Sequence, residues 1–165
     1  MNIFVKHIIR LKNTIVRHIR IIALKLQYGD HFRFKKFHFR DNFHVYVEDD
    51  GFIEIGKGCF FNSGCSITAR KRIIIGDNCI FGENVKIYDH NHCYKDLNIP
   101  VSRQGFSSGE VIIGEGCWIG SNVVILKDVH IGKHCVVGAG VIVHKDIPDN
   151  TVSFCKQEVV CKKIK

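Results

Sequence analysis

The strongest constraint in this sequence is a six-residue period. From residue 113 a β-branched residue recurs at every sixth position: Ile113, Ile119, Ile125, Ile131, Val137 and Val143. The residue after each is mostly glycine, at Gly114, Gly120, Gly132 and Gly138. Four residues after each comes a second apolar position: Cys117, Val123, Val129, Cys135, Val141 and Ile147. Such a period suits neither the 3.6-residue turn of an α-helix nor the two-residue alternation of a hairpin strand. It fits a parallel β-helix, an all-β solenoid in which each hexad supplies one short strand and one turn. Three hexads then close one triangular coil. The branched leads fill its core, and the glycine that follows is expected to take backbone angles closed to other residues. Strands of successive coils stack about 4.8 Å apart, so each apolar row packs on the next.

An earlier block obeys the same rule, with leads Ile55, Phe61, Ile67, Ile75, Phe81 and Ile87 and a two-residue insertion at Ile73–Ile74. Its second positions are Cys59, Cys65, Lys71, Cys79, Val85 and Asn91. Lys71 and Asn91 do not suit a core, so the coil is expected to break or bulge near each. The pattern also accounts for Cys59, Cys65, Cys79, Cys117 and Cys135, which take the small inward slot as compact apolar side chains. Cys93, Cys155 and Cys161 lie off the repeat and receive no role. There is no CxxC pair of the kind that marks a zinc site. No export signal is evident either, so a reduced cytoplasmic setting is expected.

The net charge of +8 is unevenly placed. Residues 1–40 hold ten basic side chains and one acid, whereas residues 41–165 hold fourteen and fifteen. The charge placement argues against a uniformly basic, nucleic-acid-coating surface, and no nucleic-acid partner is expected. Residues 1–28 read as an amphipathic helix on the spacing of Ile8, Leu11, Ile15, Ile19, Ile22 and Leu26. Lysine and arginine interrupt it too often for it to span a bilayer. Residues 31–47 alternate phenylalanine with basic residues and read as a cap on the open end of the solenoid, phenylalanines inward. The basic helix also suits peripheral contact with an anionic membrane surface. The expected organisation is residues 1–50 as helix and cap, 51–152 as β-helix, and 153–165 as a C-terminal tail.

Between Asn91 and Val111 the hexads vanish, and a long loop (93–110) follows the cluster Tyr88-Asp89-His90-Asn91-His92. Long loops in tight solenoids are more often functional than accidental. An imidazole titrates near neutrality and can take a proton from a hydroxyl. The cluster is accordingly the candidate catalytic centre.

These features together resemble the left-handed β-helix, or hexapeptide-repeat, acetyltransferases. The resemblance rests on the hexads, on Asp89-His90-Asn91-His92 and its loop, on Gly116-Cys117-Trp118-Ile119-Gly120-Ser121-Asn122, and on Gly138-Ala139-Gly140 with His144-Lys145-Asp146-Ile147-Pro148. It covers about residues 50–152 and is nearest to galactoside and maltose O-acetyltransferases and to capsule and O-antigen polysaccharide O-acetyltransferases. It implies a left-handed coil, a homotrimer, and transfer of acetyl from acetyl-CoA to a sugar hydroxyl without a metal. By position relative to the repeat, His92 matches the general base. His90 is the alternative, because related serine acetyltransferases use a histidine directly after an aspartate. Ser121 matches a residue whose backbone N–H faces the thioester oxygen. Asn62 and Asp89 are implied to contact the acceptor. Trp118, Ala139, His144 and Lys145 match the CoA-binding stretch.

The chain departs from the family in two places. A Gly-x-Pro turn usually wraps the adenine of CoA after the last coil, whereas here Ser153-Phe154-Cys155-Lys156-Gln157-Glu158 stands. Lys156, Lys162 and Lys163 are candidate substitutes. His144 stands where a small hydroxyl residue is common. Other functions compatible with the sequence are acetylation of an amino-sugar nitrogen or of serine, and a non-enzymatic binding scaffold whose basic N-terminus engages nucleic acid or membrane. A metal hydrolase resembling γ-carbonic anhydrase would need three convergent histidines, from pairs such as His90/His92 and His130/His134.

Overall fold

The structure, a computed structural model, describes residues 3–156. Helix α1 (Ile3–Tyr28) leads through a short 3-10 turn into a solenoid of five coils. The first coil is β1 (Phe32–Phe34), β2 (His38–Phe39) and β3 (His44–Val47), and the second is β4 (Ile53–Ile55), β5 (Phe60–Phe61) and β6 (Ser66–Ala69). The third is β7 (Arg72–Ile75), β8 (Ile80–Phe81) and β9 (Lys86–Tyr88). An excursion follows, made of β10 (His90–His92), a 3-10 turn and β11 (Phe106–Ser108). The fourth coil is β12 (Glu110–Ile113), β13 (Trp118–Ile119) and β14 (Val124–Ile125). The fifth is β15 (Val129–Ile131), β16 (Val136–Val137) and β17 (Ile142–Val143), and β18 (Val152–Ser153) begins a further turn.

Three parallel sheets form the faces of a triangular prism: face A (β1-β4-β7-β12-β15), face B (β2-β5-β8-β13-β16-β18) and face C (β3-β6-β9-β14-β17). The connectivity is that of a parallel β-helix, consistent with the left-handed coil that the resemblance implies. Every lead of both hexad blocks is buried, as are all the second positions except Lys71 and Asn91, which point outward as expected. Cys59, Cys65, Cys79, Cys117 and Cys135 are at most 1% exposed. Each thiol donates to a carbonyl one coil further on, for example Cys59 to Gly76 at 3.1 Å and Cys117 to Gly132 at 3.0 Å. Cysteine therefore fills the slot and also satisfies a buried carbonyl, which valine cannot do. Burial pushes the Cys65 and Cys135 thiols up, so they stay protonated donors.

The glycines after the leads serve a different purpose from the one expected. None of them has a positive φ. They are needed because the next coil's backbone passes too close for a Cβ, which at Gly120 would lie 2.6 Å from the Ala139 nitrogen. The left-handed residue of each turn is instead the one before the small slot, such as Asn78, Asn84, Asn122 and His134 at φ 54–59°. Asparagine tolerates that conformation better than most residues.

The cap read in residues 31–47 is itself the first coil, in register with the second: Phe34 pairs with Ile55, Phe39 with Phe61 and Val45 with Ile67. Its phenylalanines do turn inward. Phe32, Phe37, Phe39 and Phe43 are buried and build a ring cluster with Phe61, whose ring stacks on Phe81 at 4.4 Å. Helix α1 packs on this end layer through Ile21, Leu24 and Tyr28, and the Tyr28 hydroxyl donates to the Val45 carbonyl at 3.2 Å. The stripe that defined the helix faces away from the solenoid: Ile8, Leu11, Ile15, Ile19, Ile22 and Leu26 are each more than half exposed. Among the described residues no helix is long and apolar enough to cross a membrane.

Candidate functional site

The histidine cluster sits at the corner where the third coil should pass from face C to face A. The chain leaves instead as a hairpin, β10 against β11, the one antiparallel pair among the described strands. Cross-strand partners are His90 with Ser108, Asn91 with Ser107 and His92 with Phe106. The two-residue alternation of a strand puts His90 and His92 on one side and Asn91 on the other. Beyond the hairpin the loop is stapled by Gln104, whose side-chain amide donates to the carbonyls of Asp96 and Ile99, each at 2.7 Å.

Asp89 anchors the base of the hairpin and is completely buried. Its carboxylate accepts the backbone N–H groups of Arg70 (2.9 and 3.1 Å), Lys71 (2.8 Å) and Arg72 (2.7 Å), at the tight corner of the preceding coil. It also accepts from Nδ1 of His90 at 3.0 Å. That contact places the His90 proton on Nδ1 and leaves Nε2 as the basic nitrogen. A residue that the resemblance implies to touch the acceptor is thus enclosed by the chain's own backbone. Its route to the site runs through His90.

His90 is half-buried, its side chain 13% exposed, whereas His92 is exposed at the hairpin edge. The His92 ring lies 4.4 Å from that of Phe106, at 37°. The Arg70 guanidinium covers the Phe106 ring at 3.5 Å and is itself paired with Glu48 (3.0 Å) and Asp49 (3.1 Å). Arg70 and Phe106 escape a reading by hexads, since both lie off the repeat.

The remaining candidates occupy the corner between faces B and C. Asn62, Ser121 and Ala139 follow β5, β13 and β16 there, on the second, fourth and fifth coils. The Asn62 side-chain oxygen accepts the Ser63 N–H (2.9 Å) and an Arg40 N–H (3.3 Å), so the amide NH2 is the free end. The Ser121 hydroxyl accepts the Glu83 N–H at 3.1 Å. Neither the Ser121 nor the Ala139 backbone N–H has a partner among the described residues. Because the glycine before each lets the coils close tightly, these two donors stand on adjacent coils.

Trp118 projects from face B between Ile80 and Val136 and is 56% exposed. His144 and Lys145 are exposed at the C–A corner of the fifth coil, two coils beyond the hairpin. Phe154, where the resemblance leads one to expect a Gly-x-Pro turn, is exposed and lies over Gly138. Lys156 is exposed, while Lys162, Lys163 and Cys161 fall outside the described residues. Among the described residues no three His, Cys, Asp or Glu side chains converge, and His130 and His134 lie on a different coil from His90 and His92. One copy of the chain therefore brings His90, His92, Asp89 and Phe106 together at one corner, and Asn62, Ser121 and Ala139 at another. It does not bring the two groups to each other.

Comparison with known proteins agrees with this architecture. Residues 110–145 match the family model for bacterial transferase hexapeptides (six repeats), and residues 72–87 match that for the hexapeptide repeat of succinyl-transferase. A protein of Escherichia coli (strain K12) provisionally assigned as a lipopolysaccharide biosynthesis O-acetyl transferase is 31% identical over 139 residues, spanning 67% of this chain and 71% of that one. The structure of a maltose O-acetyltransferase from Clostridium difficile 630 superposes with a TM-score of 0.63 at 31% identity, covering 82% of this chain and 70% of that chain. A hexapeptide-repeat acetyltransferase from Vibrio cholerae, solved with acetyl coenzyme A, gives 0.68 at 27% identity, covering 84% and 73%.

Proposed function

Since the chain belongs to the hexapeptide-repeat transferases and is an acetyltransferase, we propose that it moves acetyl from acetyl-CoA to a sugar hydroxyl, in a surface polysaccharide (capsule or O-antigen) or its precursor. One observation carries this reading: an exposed imidazole stands at one corner of the coil, and at the next stand two backbone N–H groups without a partner among the described residues. Acyl transfer from a thioester needs both. His92 takes the hydroxyl proton as the oxygen attacks the acetyl carbonyl carbon. The carbonyl oxygen gains negative charge, which the Ser121 and Ala139 N–H groups stabilise; one such donor is worth about 2.7–4 kcal/mol. The C–S bond then breaks, and the CoA sulfur leaves with the proton that His92 returns.

His92 is the base because its ring is open to an incoming acceptor, whereas His90 is half-buried and bonded to Asp89. Asp89 and His90 position the hairpin and its imidazoles. Asn62 offers its amide NH2 to the acceptor. Trp118, Ala139, His144 and Lys145 hold CoA, with Lys145 and Lys156 as the cations for its phosphates.

The separation of base and donors supports a homotrimer, in which the B–C corner of one copy meets the C–A corner of its neighbour. Helix α1 carries no acidic residue, and its outward stripe suits an anionic membrane surface. The enzyme then works at the cytoplasmic face where glycans are assembled. Ile15→Glu with Ile19→Glu is expected to abolish co-sedimentation with anionic liposomes, and unchanged sedimentation would leave the helix a purely structural role.

The function is tested by CoA release from acetyl-CoA across a panel of sugars, amino sugars and serine. Release with a sugar lacking an amine is expected. His92→Ala should lower the rate by about 10²–10⁴-fold. A panel in which only amines respond would overturn the O-acetyl reading, and a His92→Ala enzyme at full rate beside a dead His90→Ala would exchange the two roles.

A further inference from the structure

Beside Asn62 lies a groove whose chemistry the mechanism above does not use. Helix α1 crosses the first coil and leaves, between itself and the B–C corner, a groove of about 490 Å³. Three guanidiniums line it: Arg17 and Arg20, about one helical turn apart, and Arg40 from the corner opposite. A single carboxylate, Asp41, accompanies them. Among the described residues none of the three arginines forms an ion pair.

Each arginine instead contacts a ring nitrogen, a backbone carbonyl or an amide oxygen. Arg17 Nη1 contacts His38 Nδ1 at 2.8 Å, Arg20 Nη2 donates to the Phe43 carbonyl at 3.4 Å, and Arg40 Nη1 donates to Asn62 Oδ1 at 3.3 Å. Arg40 also lies 5.7 Å from the centre of the Phe60 ring. A guanidinium has five N–H donors in a planar fork, so most remain free in all three. Arg17 and Arg20 are half-buried, where solvent screens their mutual repulsion less than in bulk water. Three cations lining one groove, with spare donors and one counter-charge, form a receptor for a planar or tetrahedral oxyanion, which arginine binds bidentately. The Arg40–Asn62 hydrogen bond joins this receptor to the position proposed to hold the acceptor.

We infer that the groove binds an oxyanion carried by the sugar acceptor and sets the acceptor's ring beside Asn62. This rests on the acetyltransferase reading given above. The oxyanion has two chemical sources, the phosphate at the anomeric carbon of an activated sugar or the carboxylate of an acidic sugar.

Titration calorimetry on the full chain at low salt, with glucose 1-phosphate, glucuronate and glucose as probes, separates them. At least one anion is expected to bind ten times or more tighter than glucose, and the tighter of the two names the source. Arg17→Gln and Arg40→Gln should each weaken that anion about tenfold while the melting temperature stays put, and Arg40→Lys should recover part of the loss. Equal binding of all three probes, or anion binding indifferent to both glutamine substitutions, overturns the inference. CoA release measured on the same protein keeps the two readings apart. Acetylation of a neutral sugar without anion preference overturns the groove alone. Arginine-dependent anion binding with no acetyl transfer to any sugar upholds the groove and overturns the function.

Discussion

Two corners of the same prism are built on opposite principles. The B–C corner is four residues long in every coil: 40–43, 62–65, 82–85, 120–123 and 138–141. The C–A corner varies from two residues (70–71) through three (126–128) and five (48–52) to the twenty-one of 89–109. Constant length keeps backbone groups in register from coil to coil, so the B–C corner can present N–H donors at fixed spacing. Variable length lets side chains leave the register, so the C–A corner can gather imidazoles, a carboxylate and an aromatic ring. A thioester reaction needs fixed donors and a positioned base, and the mechanism proposed above draws one from each kind of corner.

If that contrast is right, the C–A corner should fail through side-chain chemistry and the B–C corner through backbone crowding. Asp89→Asn is expected to do the most damage. The amide keeps the shape but has one acceptor oxygen for donors that now share two, and it turns an NH2 toward N–H groups. Leaving about two donors unpaired costs roughly 2–4 kcal/mol, which lowers the melting temperature by roughly 5–15 °C. Calorimetry would detect this, and a fall below about 2 °C would show that the hairpin base is held by something else.

Glycine-to-alanine substitutions sharpen the comparison further. At Gly120 the new Cβ would meet Ala139 N at 2.6 Å and Val137 O at 2.8 Å, both backbone, so the fourth and fifth coils must separate. The cost is about 2 kcal/mol, and the separation also disturbs the Ser121–Ala139 donor pair. Gly105 has a φ of +75° and nothing within 4 Å of a new Cβ. Gly105→Ala should cost only the left-handed penalty of about 1 kcal/mol. Thermal melts of the two variants, with Gly120→Ala also losing turnover, would support the division. A larger fall for Gly105→Ala would reverse it.

How far the fold is legible in the sequence depends on the kind of contact. The coils from Ile55 onward follow from the hexads because each inward position is decided within a few residues. The first coil is not legible. Phe34 and Phe39 are five apart and no glycine follows either, so the period disappears although the strands still pair in register. The positions of the glycines are legible in the sequence, but the reason for them is not. A close approach between coils is a tertiary fact, and a positive φ is the local account that a sequence invites. The helix shows the same limit from the other side. Its apolar stripe is evident from residue spacing, yet the side packed on the solenoid is the one bearing Ile21, Leu24 and Tyr28.

Within the site, the sequence alone singles out Asp89, His90 and His92, because they stand where the period stops. It cannot show that the Asp89 carboxylate binds the backbone of residues 70–72, since that contact crosses a coil boundary. Nor can it show that Arg70 and Phe106 complete the surroundings of the histidines.

By itself the sequence determined the repeat, the inward residues and the single large interruption, because strand period and burial are written in local order. Only the tertiary structure decided which corner each interruption and each donor occupies. Stacking brings together residues a whole coil or more apart along the chain, and that stacking places His92 and the Ser121 and Ala139 N–H groups of one copy on different corners.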